Sequence, residues 1–281
     1  MSRTAPRGAP LQRGFTGRRA GRVCSTCYDD SVTTRGARHL SAEDWLLRAS
    51  QAEDSLARAK YATRGLAKPA LEPTIQGLLL RQLYMAHLEL ERFDQAIDIA
   101  QQVVDLQALD DVAHQDLARA YLANKQYDAA LGQVRLARRV APPERKAFHD
   151  WTQGSMLYLL GRLTQAIPVF ERGLRWSVGE RPLIEAQLAL THCALDDEAD
   201  VNLAELKEAL ESSASAAGYG RFVLGELNLE LGDPVAASRD LNAFIERTES
   251  GRVALRISLA LELERARKLL SELSGRVQNR S

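Results

Sequence analysis

Nothing in this sequence is long and apolar enough to cross a bilayer: runs such as GLLL and LYLLG fall far short of the roughly 20 residues a spanning helix needs. No apolar stretch of seven or more residues follows the N-terminal arginines, so a signal peptide is not expected either. Cysteine is scarce, with three in 281 residues. Cys24 and Cys27 have the spacing of a redox or metal pair, yet no strand–helix context surrounds them and two further zinc ligands are missing nearby. Two exposed thiols are the expectation, with a reversible disulfide or an adventitious metal site as the alternative. Cys193 reads as a small apolar filler. A His-Glu-x-x-His pair, a phosphate loop, a nucleophile elbow and a dinucleotide glycine pattern are all missing from contexts that would support them. The chain is therefore expected to be no enzyme and to need no metal or cofactor.

What the sequence does have is a period. The segments LLLRQLYMAHLELERFDQAIDIAQQVV (78–104) and VAHQDLARAYLANKQYDAALGQVRLARRVAPP (112–143) superimpose at an offset of 34 residues. The alignment sets Leu80 over His114, Leu83 over Leu117, Tyr84 over Ala118 and His87 over Tyr121. Further along, Phe93 falls over Tyr127, Ala96 over Ala130, Ala100 over Val134 and Val103 over Ala137. Small residues such as Ala118 and Ala130 let two antiparallel helices approach closely. Tyr121 and Tyr127 fill the gap to the next unit, and Pro142 stops the second helix. A large residue, leucine, a small residue and tyrosine on one helix precede alanine, a bulky apolar residue and alanine on the next. In this pattern the chain resembles the tetratricopeptide-repeat family.

A third copy, DWTQGSMLYLLGRLTQAIPVFERGL, follows after two extra residues, with Gly154 where Ala118 stood and Pro168 inside its second helix, where a kink is expected. A weak fourth copy runs over 181–213 through Leu188, Ala189 and His192, and a clearer fifth contains Leu224, Gly225, Ala237, Leu241 and Phe244. The resemblance implies an all-α fold, a right-handed α-solenoid of about five hairpins over 74–250, at approximately 77–110, 111–144, 147–180, 181–215 and 218–251. Residues 252–281 should form a capping helix and tail, because an end repeat otherwise exposes its apolar side. Residues 41–73 should form one long N-terminal helix opened by a capping box at Ser41 and Asp44, plus a linker, as a cap or the remnant of a sixth repeat.

The first 40 residues are different material. Eight arginines stand against Asp29 and Asp30, a formal +6 in a chain of zero net charge, and no apolar periodicity precedes Trp45. A disordered basic tail is the expectation. Three sharper readings stay open: a cleaved mitochondrial presequence, a basic arm for nucleic acid or anionic lipid, and an overextended start site. The location expected is cytoplasmic and bacterial, with the mitochondrial matrix as the alternative.

Five histidines, His39, His87, His114, His149 and His192, are expected to pack rather than bind metal, since His87, His114 and His192 occupy packing positions of the repeat. The acidic run at Asp196, Asp197, Glu198 and Asp200 lacks the glycine and terminal glutamate of a calcium loop and reads as a solvated turn.

A stack of hairpins presents the first helix of each unit on its inner face. The motif leaves Arg81, Gln82 and Met85 free on the first repeat, Gln115 and Arg119 on the second, Phe148, Trp151, Ser155 and Tyr158 on the third, and Tyr219 and Phe222 on the fifth. These residues are the expected partner-binding surface, with packing between repeats as the alternative for Phe148 and Trp151. Arg138, on a second helix, should face away from a partner. The clamp by which some family members hold acidic chaperone tails is not matched, because its positions hold Arg81, Met85, Asp116, Phe148 and Thr152, of which only Arg81 suits a carboxylate. The expected function is a non-enzymatic scaffold or adaptor holding a peptide or helix of a protein partner within a larger assembly. Neither a nucleic-acid partner nor a small-molecule substrate is expected. An organelle-targeted assembly factor is the alternative, followed by a redox protein using Cys24 and Cys27.

Overall fold

The computed structural model describes residues 40–196 and 201–278, with side chains to residue 275. The N-terminal basic segment, Cys24 and Cys27, and most of the acidic run at 197–200 lie outside the described residues. The rest is built of α-helices and one 3₁₀ turn (Ala214–Ala216), with no strand among the described residues.

The N-terminal region is a hairpin rather than one helix. α1 (Ala42–Gln51) opens on the expected capping box, in which the Asp44 amide donates to Ser41 Oγ at 3.1 Å and the Ser41 amide to Asp44 Oδ2 at 2.9 Å. The chain then leaves the helix at Ala52 and restarts at α2 (Ser55–Leu66), where the Asp54 carboxylate accepts from the Ala57 amide at 2.7 Å. A second cap interrupts what apolar spacing alone reads as continuous. The two helices pack on each other and on α3, and Trp45 stacks on Tyr61 with ring centroids 5.8 Å apart.

Five hairpins follow: α3 (Pro73–Glu89) with α4 (Phe93–Asp105), α5 (Asp110–Ala123) with α6 (Tyr127–Val140), α7 (Pro143–Leu159) with α8 (Leu163–Leu174), α9 (Arg181–Cys193) with α10 (Leu203–Glu211), and α11 (Tyr219–Glu230) with α12 (Pro234–Glu249). Each hairpin packs on the next, which makes the chain an all-α solenoid. Ala96, Ala130, Ala166 and Ala237 are fully buried at the start of the second helices. A Cβ at Gly154 would come within 2.5 Å of the Phe170 ring, so this crossing admits nothing larger than glycine without movement. α8 continues through the exposed Pro168.

One feature recurs in the turn of each of these five hairpins. Glu91, Lys125, Gly161, Asp196 and Gly232 all have positive φ, between 52° and 74°. Four of these turns close with the same bond: the amides of Arg92, Gln126, Arg162 and Asp233 donate to the carbonyls of His87, Tyr121, Leu157 and Asn228 at 2.8–2.9 Å. This is the Schellman closure, which satisfies the last helical carbonyls and reverses the chain within a few residues.

The C-terminal region also breaks in two, at Leu259, into α13 (Val253–Ser258) and α14 (Ala260–Gln278). α14 packs on α12 as an end cap would, and also reaches α7. α13 goes elsewhere. It returns to the beginning of the array and lies against α3 and α5, with Ala254 and Ile257 packed on the Leu80 and Tyr84 cluster.

Candidate functional site

The residues expected to face a partner are in large part tied to the neighbouring repeat. First helices of successive hairpins run side by side, so positions about one period apart oppose each other. Arg81 donates to Asp116, which also receives Arg119 at 3.2 Å. Gln115 meets His149 at 3.2 Å, and Asp111 meets both His149, at 2.6 Å, and Arg145. Trp151 Nε1 donates to Gln187 Oε1 at 2.5 Å, and Ser155 Oγ to the same oxygen at 2.9 Å. This polar ladder explains why Gln115, Asp116, Ser155 and Gln187 are buried on what the repeat pattern marks as an open face.

Several expected surface residues are therefore core or ladder residues. Phe222 is fully buried among Tyr219 and Phe244, and buried Tyr158 donates to Glu226 Oε1 at 3.1 Å. Trp151 is part-buried cement, edge-on to Tyr219 at 4.9 Å and tilted against Phe148 at 5.8 Å. Gln82 and Met85 remain half-buried on α3, and Arg81 and Arg119 keep about a third of their side chains exposed. Arg138 does not face away: its Nε donates to the buried Asp150 at 3.1 Å, a carboxylate that Arg172 also holds. The expected packing role suits His149, whose burial lowers its pKa against the pull of Asp111.

Between the first helices and the returned C-terminal segment lies a cavity of about 510 Å³. α5 contributes Arg119 and Leu122 to it, α7 Phe148, Trp151 and Met156, and α11 Tyr219. The other wall is C-terminal: Phe244 and Arg247 from α12, Arg252 before α13, Leu255 on it, and Leu259 and Glu262 beyond. α14 is fixed there by the ion pair of Arg265 Nε with Glu226 Oε1 at 2.9 Å, with the Arg265 guanidinium 5.8 Å from the Tyr158 ring centroid. Burial pushes the Glu226 carboxyl up. Burial also raises Glu262, to about 7, opposed by hydrogen bonds from its own backbone and from Tyr219.

The part of the cavity wall beyond residue 251 was not expected from the sequence, because it comes from outside the repeats. One signal was present. Leu259, Leu263 and Ala266 form an apolar stripe at helical spacing, and Glu262 falls on it. A carboxylate on an apolar stripe marks a buried acid.

Among the described residues no cluster of three or more His, Cys, Asp or Glu side chains is arranged to hold a metal, and no helix is long and apolar enough to cross a membrane. No protein-family model and no curated protein matches the chain. Among solved structures, the chain is similar to YrrB, described as a TPR protein with an unusual peptide-binding site, with a TM-score of 0.41 and 12% identity over 70% of this chain and 97% of that one. At that distance the fold rests on the hairpins themselves.

Proposed function

We propose that the protein is a non-enzymatic scaffold that holds a helical segment of a partner protein on the inner face of α3 and α5. The observation that carries this reading is the seating of α13. A six-residue helix lies on that face through Ala254 and Ile257, and none of its residues is fully buried. A helix satisfies its own backbone hydrogen bonds, so a face whose polar side chains are committed to a ladder can accept one through apolar contacts alone. Leu78, Gln82 and Met85 on α3 and Arg119 on α5 supply half-buried apolar and cationic groups beside it.

The test is site-specific photo-crosslinking in the full chain. A photoreactive residue at Gln82 or Arg119 should capture the partner, whereas one at Gln102 or Arg135 on the second helices, both exposed, should not. Equal capture from both sets would put the interaction on the opposite face and sink the proposal.

A further inference from the structure

The cavity behind α13 has an unusual combination of lining groups. Its body is aromatic and aliphatic, with Trp151, Phe148 and Leu122 facing Leu255 and Leu259. Three of its hydroxyls are already engaged: Thr152 Oγ1 donates to the Phe148 carbonyl at 2.9 Å, Ser155 Oγ to Gln187 at 2.9 Å and Thr248 Oγ1 to the Phe244 carbonyl at 2.8 Å, which leaves Ser258. An extended peptide would find few partners for its own amides and carbonyls there, and each one left bare costs free energy.

The charged groups differ. Glu262 is a buried acid whose carboxyl burial pushes up, and Arg119 shares Asp116 with Arg81. Arg247 and Arg252 have no ion pair or side-chain hydrogen bond among the described residues. A second cavity, of about 530 Å³ beside α10 and α12, offers a contrast, because its Arg221 and Arg239 are both held by Asp240. Of these two cavities, the one behind α13 combines an apolar body with unclaimed guanidinium groups.

We infer that this cavity binds a free organic acid with one anionic head and one medium-length apolar chain, the head taken by Arg247 and Arg252 and the chain lying between Trp151 and Leu255. The volume gives the scale of the chain. A water-sized group occupies about 30 Å³, so about 510 Å³ has room for roughly seventeen non-hydrogen atoms. A carboxylate of roughly ten carbons fits within it. The ligand site does not depend on the scaffold reading, whose test reads capture of a protein at Gln82 and Arg119.

Decanoate, kept below its micelle concentration, is the probe, titrated calorimetrically into the full chain. One equivalent should bind. Arg247→Gln with Arg252→Gln should weaken binding about tenfold or more, as loss of charged hydrogen bonds does, while leaving the melting temperature unchanged because both arginines are exposed. Leu255→Trp, at a position 41% exposed, should fill the space and abolish binding without unfolding the chain. Decyltrimethylammonium should bind far more weakly than decanoate. Equal binding of decanol and decanoate would remove the anionic head from the proposal. Uptake of several equivalents unaffected by Leu255→Trp would mean adventitious surfactant binding only and would overturn it. Displacement of decanoate by a short acidic, leucine-rich peptide of higher affinity would also overturn it.

Discussion

Replacing Glu262 with glutamine should stabilise the protein at pH 8 and leave it nearly unchanged at pH 4.5. The carboxyl is 7% exposed, beside Tyr219 and Glu226, and its pKa is raised from 4.5 to about 7 chiefly by burial. The folded state therefore holds a proton that the unfolded state releases in this interval. Stability falls as pH rises from about 4.5 to about 7 and then levels off. At about 1.4 kcal/mol per pH unit, the interval amounts to about 3 kcal/mol. Glutamine keeps the shape and removes the titration, so Glu262→Gln should regain most of this above pH 7. For a domain of this size about 1 kcal/mol moves the melting temperature by roughly 2–4 °C, so the midpoint should rise by several degrees at pH 8. Thermal melts of both proteins at pH 4.5, 6 and 8 check it. A difference that is the same at all three pH values would show that Glu262 does not titrate between them, and the burial argument would fail.

Ala130→Glu or Ala166→Glu should unfold the local hairpin, since each alanine is fully buried and a carboxylate without a partner costs several kcal/mol there; a wild-type melting profile would contradict the packing. Lys125→Gly, at φ 58°, should raise stability by up to about 1 kcal/mol by relieving the left-handed conformation, measured by urea unfolding. Gly154→Ala should cost about 1–3 kcal/mol because its Cβ meets the Phe170 ring. Gly132→Ala, where the nearest atom is 3.9 Å away, should gain up to about 1 kcal/mol of helix propensity. Arg138→Glu should destabilise strongly by setting a second carboxylate against the buried Asp150, visible as a lower melting temperature.

The hairpins were legible because their signals are local. Alanine and glycine at the crossings and aromatics between units recur at about the interval at which the structure repeats its turns. The two broken helices were harder for different reasons. Asp54 before Ser55 is a cap signal that the sequence displays and that apolar spacing obscures. The break at Leu259 has no comparable local cue, and α13 lies on helices more than 130 residues earlier in the chain. The inner face was misread because the repeat pattern reports which residues pack within a hairpin and is silent on polar pairing between hairpins. Yet Asp111 with Arg145, and Gln115 with His149, are complementary pairs one period apart, and a search for such pairs would have found the ladder.

The return of α13 to α3 changes how the molecule should unfold. An open array in which each unit touches only its neighbours loses its ends first and frays inward. Here the first full hairpin is held by a segment from the far end of the chain, so α3 and α5 can separate from it only by giving up contacts of very long sequence separation. Folding must wait for that closure, which slows the last step. Once made, it couples the two ends, so a change at Ile257 should be felt in the amide exchange of α3 as well as in its own helix.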